Sequence, residues 1–200
     1  MKKWIVLVSL VAAAGCATGQ KAGSMAAPAA KPAVKTSVAA PSPQVQAITT
    51  YKFGDSREPL TVVEDLVRDS LASPEKSSAL AAQLAGLLAT NATPDCKQFA
   101  CRQLAIIGTA DTVPALAPLL LKDDTADMAR YALQPIPGAE ADAALLEALP
   151  KVSKSVKIGI IDTLGARKAK CAVNTLKPLA KDNDSQIAEA AKSALARIKK

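Results

Sequence analysis

TPDCKQFACRQLAIIG (93–108) and TADTVPALAPLLLKDD (109–124) decide the fold. In the first, Phe99, Ala100, Leu104 and Ile107 recur at three- and four-residue steps, which gathers them on one side of a helix. Gly108 follows and predicts the helix end. In the second, Asp111 is placed to cap a new helix and Pro114 sits near its first turn, where a missing N–H costs little. Val113, Leu116, Leu119 and Leu120 form its inner side.

The pattern repeats downstream. MARYALQPIPG (128–138) is expected to end at Gly138, AEADAALLEALPKVS (139–153) supplies a partner helix, and VKIGIIDTLG (156–165) is expected to end at Gly165. AVNTLKPLAKDND (172–184), with Ala172, Val173, Leu176 and Leu179 inward, and SQIAEAAKSALARIKK (185–200), with Ile187, Ala191, Ala194, Leu195 and Ile198 inward, follow. Upstream, Val63, Leu66, Val67 and Leu71 mark one helix. Ser73-Pro74-Glu75 opens another, carrying Leu80, Leu84, Leu87 and Leu88. Gly108, Gly138 and Gly165 are 30 and 27 residues apart, the period of a helix-hairpin repeat. Two prolines in Gln134-Pro135-Ile136-Pro137, and Gly159 inside a helical stretch, predict kinked or short middle hairpins. Tyr51 and Phe53 are expected to plug the N-terminal end of the core.

The first fifty residues differ. Lys2 and Lys3 precede an apolar run from Trp4 to Ala14, the pattern of a secretory signal and too short to span a bilayer. Ala13-Ala14-Gly15-Cys16 resembles the lipobox of bacterial lipoproteins, although leucine is the usual residue where Ala13 stands. The resemblance implies a signal peptide over residues 1–15 and acylation of Cys16. Two or three acyl chains would anchor the protein firmly to a membrane. Ala17 after the cysteine resembles the outer-membrane sorting choice of enterobacteria-like cells, which implies an address on the periplasmic side of the outer membrane. The stretch to about residue 49 is Ala-, Pro- and Lys-rich without an acid and reads as a disordered tether, with a span of about 30 Å or more. The domain expectation is therefore a signal over 1–15, lipidated Cys16 and tether over 16–49, and a folded region over 50–200.

The chain carries a net charge of +7, but unevenly. Residues 1–50 hold five lysines and no acid, residues 51–150 hold 8 basic and 14 acidic side chains, and residues 151–200 hold 12 and 4. The folded region is nearly neutral overall, which argues against nucleic acid as a partner. Its basic end suggests an interaction surface at Lys151, Lys154, Lys157, Arg167, Lys168 and Lys170, either for an anion or for head-to-tail contact between copies.

The chain has no histidine, which removes the commonest general base and metal ligand. Asp123, Asp124 and Asp127, and Asp182 and Asp184, lack a calcium loop's Gly turn and distal Glu and read as N-cap acids. Cys96, Cys101 and Cys171 do not make a zinc set. A bridge from Cys96 or Cys101 to Cys171 is conceivable after export, but burial as small apolar groups is the preferred reading. Few aromatics remain for a stacking platform. No cofactor and no catalytic residue is expected.

FACRQLAIIGTADTVPALAPLL (99–120), MARYALQPIPG (128–138) and the stretch 158–198 resemble the HEAT-like repeats of bacterial exported proteins. The likeness covers roughly residues 58 to 200 and rests on the Val113-Pro114 helix start, the glycines, and the small residues Ala100, Ala129, Ala190 and Ala191. It implies an all-α fold, a short α-solenoid of about four hairpins plus a leading helix, with a concave face for a partner. The function expected is a membrane-anchored, non-enzymatic protein-interaction scaffold of the cell envelope. Its partner is an envelope protein or a second copy. Alternatives are an accessory or remote relative of phycobilin lyases, which also carry such repeats, or an envelope-structural protein binding anionic glycan or lipid through its basic C-terminal repeat.

Overall fold

A hydroxyl followed by proline starts three of the helices in the computed structural model, which describes residues 41–199. Ser42 opens α1 (Pro43–Ala47), Ser73 opens α3 (Pro74–Leu88) and Thr93 opens α4 (Pro94–Ile107), and each side-chain oxygen accepts a backbone N–H of the first turn. Proline at the first helical position loses a donor that had no intrahelical partner, so cap and proline reinforce each other. Between α1 and α3 lies α2 (Glu58–Ser70). The stretch expected to be a signal peptide, Cys16 and most of the expected tether lie outside the described residues.

Gly108 ends α4 as expected, donating to the Leu104 carbonyl at 2.8 Å. A Cβ there would lie 2.3 Å from that oxygen and 2.9 Å from the Ile136 side chain. The next stretch is not the single helix predicted. It runs as a 3₁₀ turn (Ala110–Thr112), a short α5 (Val113–Leu116) and a second 3₁₀ segment (Ala117–Leu121). Pro118 has no N–H for a four-residue hydrogen bond, so the ladder tightens there. Asp111 lies inside the first 3₁₀ turn, and no side chain caps it.

The remaining helices are α6 (Ala126–Leu133), α7 (Ala139–Ala148) with a 3₁₀ extension (Leu149–Lys151), α8 (Lys154–Ala166), a 3₁₀ turn (Lys170–Ala172), α9 (Val173–Leu179) and α10 (Ser185–Lys199). Gly138 has φ +101° at the head of α7, a conformation open to glycine and costly for other residues. Gly165 does not end its helix. Lys168 does so, at φ 54°, with its N–H bonded to the Gly165 carbonyl and that of Ala169 to the Leu164 carbonyl. This is the Schellman arrangement, with lysine where glycine is usual. Lys168→Gly should therefore raise stability by about 1 kcal/mol, the approximate left-handed penalty of a residue with a Cβ, read as a higher urea midpoint at unchanged slope.

Two rows of helices result. In one, α2 packs on α4, α4 on α6, α6 on α8 and α8 on α10. In the other, α3 packs on α5, α5 on α7, and α7 on the 3₁₀ turn before α9. The rows bury one aliphatic core from Val45 to Ile198, including Phe99, Leu104, Leu116, Leu133, Leu145 and Ile160. No strand occurs among the described residues, and none of their helices is long and apolar enough to cross a membrane.

Three expectations shift. Residues 42–49, expected in the tether, belong to the fold, because Val45 of α1 and Ile48 just after it are both fully buried and the Ser42 N–H donates to Gln83 at 2.8 Å. These two side chains occupy the role expected of Phe53, which is 92% exposed; Tyr51 is only half-buried against the core. Leu71, just past the end of α2, is 57% exposed, and Leu60 of α2 is buried in its stead.

Candidate interaction surface

Gly159 and Gly165 put the α6–α8–α10 row in close register. Arg130 of α6 reaches over Gly159, donating to its carbonyl at 3.1 Å and to the Thr163 hydroxyl at 3.0 Å, while pairing with Asp127 at 2.7 Å. A Cβ at Gly159 would sit 2.6 Å from the guanidinium carbon, so this glycine makes room for an arginine within a helix that runs on from Lys154 to Ala166. Arg197 of α10 pairs with Asp162 of α8 at 2.7 Å.

The predicted basic surface does not survive as one patch. Arg167 faces inward: its side chain is 7% exposed and pairs with Asp142. It also donates to the carbonyls of Leu133, Gln134, Ile136 and Gly138. The double-proline turn 134–138 has few N–H partners for those oxygens, and a guanidinium supplies several donors at once. Lys151 pairs with Glu147 at 2.9 Å, Lys154 pairs with Asp184, and Lys157 is half-buried. Lys168 and Lys170 remain exposed. Acids contributed by neighbouring turns and helices have taken up half of the six.

Grooves open between neighbouring helices of each row. Between α4 and α6, a cavity of about 280 Å³ is lined by Gln98, Cys101, Arg102, Asp127, Met128 and Tyr131. Tyr131 is 58% exposed there, as is Ile106 further along α4. Between the 113–121 segment and α7, a cavity of about 230 Å³ is walled by Pro114, Pro118, Leu121, Ala144 and Ala148, with the Glu147–Lys151 pair at its rim. Ile106 falls outside the buried stripe of its helix, and that was the available sequence signal for an outward apolar group.

Asp184 is the one expected capping acid that caps. Its carboxylate accepts from the N–H groups of Gln186 and Ile187 at the start of α10. Asp182 accepts from the Asp184 N–H, and Asp127 holds Arg130. The hydrogen bond from Lys154, with the two backbone donors, lowers the Asp184 pKa below its ordinary 3.8. A depressed carboxyl stabilises the fold above its unfolded pKa and loses that effect as pH falls through the folded value. Asp184→Asn should therefore melt below wild type at neutral pH. The two should converge as pH drops below 3.8, and a gap that stays constant would contradict the assignment.

Among the described residues, Cys96, Cys101 and Cys171 are unbridged. Burial pushes Cys96 up to about 11 and Cys101 up to about 12. Cys171, expected inside, is exposed, and desolvation with the nearby Asp142 raises its pKa too. Raised thiols hold little thiolate at neutral pH and are weak nucleophiles. Among the described residues no group of three or more acids and cysteines is placed to hold a metal. The chain matches no protein-family model, no curated protein and no solved structure.

Proposed function

We propose that this chain is a lipid-anchored, non-enzymatic scaffold of the bacterial envelope: acylated at Cys16, carried on the tether that follows, and presenting a short HEAT-like α-solenoid to a protein partner. The observation that carries the reading is the neighbour-to-neighbour packing of two helix rows with Ile106 and Tyr131 left exposed beside the α4–α6 groove. A stack whose members bury their apolar faces only against adjacent members leaves a continuous surface for binding. Aromatic and aliphatic side chains held out on a rigid row are the anchors that protein interfaces use. The signal pattern and Cys16 supply the address, which we place on the periplasmic side of the outer membrane.

A photo-reactive phenylalanine at Tyr131 in the full chain tests the reading. It should cross-link one envelope protein reproducibly, and the same probe at Asp123, outside the groove, should not. Cross-links to lipid alone, or the same products from both positions, would contradict it. The anchor is tested separately: a palmitate analogue should label the wild-type chain and not Cys16→Ser. The second reading, an anionic glycan or lipid headgroup held by the basic end, draws on exposed Lys168 and Lys170. It predicts envelope binding that disappears in moderate salt.

A further inference from the structure

The helices α2 and α10 terminate one row: α2 packs on α1, α3 and α4, and α10 on α8 and α9. Each therefore turns one side away from the fold. On α2 that side is the line Glu58, Val62, Asp65 and Asp69, at successive three- and four-residue steps opposite buried Leu60, Val63 and Val67. Val62 is 41% exposed. Two shallow cavities flank the line where α2 meets α1 and α3, about 380 Å³ beside Glu58 and about 410 Å³ beside Asp69. Proline, alanine and leucine side chains supply much of their walls. Arg68 pairs with Asp65 at 2.9 Å and approaches Asp69 at 3.6 Å, leaving Glu58 outside any ion pair among the described residues.

On α10 the outward side carries Glu189, Lys192, Ala196 and Lys199, opposite buried Ile187, Ala191 and Ala194. Lys177 of α9 and Lys181 in the turn after it are exposed at the same end. The ion pairs of α8 and α10 there use Lys154 and Arg197, so these four lysines are not consumed by them.

We propose that the α2 end of one copy receives the α10 end of a second, so that copies associate head to tail. The partner follows from complementarity: an end with acids around exposed Val62 meets an end where the lysines around exposed Ala196 outnumber the single acid, Glu189. Opposite fields of this kind set orientation and speed encounter. Such a contact joins two different surfaces, so it leaves one end of each kind open and builds chains, not closed dimers. This inference goes beyond the scaffold reading, whose test seeks an envelope protein at the α4–α6 groove, and does not depend on it.

The test uses two differently tagged full chains in a Cys171→Ser background, one with Val62→Cys and the other with Ala196→Cys, co-expressed and treated with a bismaleimide. A product joining the two is expected, with none from either same-site pair. It should fall about fivefold with Glu58→Lys and Asp69→Lys, and likewise in about 1 M salt, where the screening length is roughly 3 Å. Lys192→Glu with Lys199→Glu on the other copy should restore it. Lack of a mixed product, equal same-site product, or indifference to charge reversal overturns the proposal. An envelope protein captured at Val62 in place of a second copy also overturns it, while leaving the scaffold reading standing. Circular dichroism melts confirm that each exposed substitution keeps the fold.

Discussion

Arg167→Ala is expected to destabilise the protein by about 3 to 5 kcal/mol, the usual penalty for removing one member of a buried ion pair. The side chain is 7% exposed and Asp142 16%, so the aspartate left behind cannot recover its hydration. The part-buried carbonyls of Leu133 and Ile136 lose their Arg167 donor with it, and an acceptor left unpaired away from water carries its own desolvation cost. Against a total stability of about 5 to 15 kcal/mol for a domain this size, the loss approaches unfolding. Urea titration measures it. Arg167→Lys should recover little, because one ammonium cannot span the aspartate and the turn. Arg167→Met with Asp142→Leu should recover more, because no orphaned charge remains. Near-wild-type stability for Arg167→Ala would show that the side chain lies at the surface after all.

Gly165→Ala is expected to destabilise by about 1 to 3 kcal/mol, as overpacking does. At an exposed helical site the same change would stabilise by about 1 kcal/mol, so the sign alone discriminates. The new Cβ would stand 2.7 Å from the Ala194 Cα and 2.9 Å from its Cβ. The first of these is backbone, and α8 and α10 would have to separate to admit the methyl. Ala194→Gly should restore part of the loss, whereas Gly165→Leu should worsen it. A stabilised Gly165→Ala protein would mean that the two helices do not meet at this point.

These two residues also show what the chain's sequence discloses and what it conceals. Apolar spacing is local, so Phe99, Leu104, Leu116 and Leu120 were legible as core, and so was the cap at Ser73. Glycine is ambiguous, since it serves both to end a helix and to let one approach another. Gly108 does the first, whereas Gly165 does the second, and Lys168 ends the helix at a cost that no spacing rule reveals. Proline density hid the 3₁₀ character of the 110–121 stretch, because Pro114 favours a helix start and Pro118 breaks the same helix one turn later.

Charge was the least legible property. Lys154 and Arg167 looked available because their partners Asp184 and Asp142 come from other parts of the chain, 30 and 25 residues away, whereas the Glu147–Lys151 pair is four residues apart on one helical stretch and was legible. For α1, a Pro/Ala-rich lead-in masked a five-residue helix whose Val45 and Ile48 matter only through contact with the rest of the fold.

The central claim is that the helices form an open stack in which only neighbours touch. Nuclear Overhauser contacts, measured on dilute protein in salt high enough to separate copies, test this directly. Gly165 should show contacts to the Ala194 methyl, and α6 should contact α8, while the Val62 methyls of α2 should show none to Ala196 of α10. Contacts between α2 and α10 within one chain would mean a closed bundle and contradict the account.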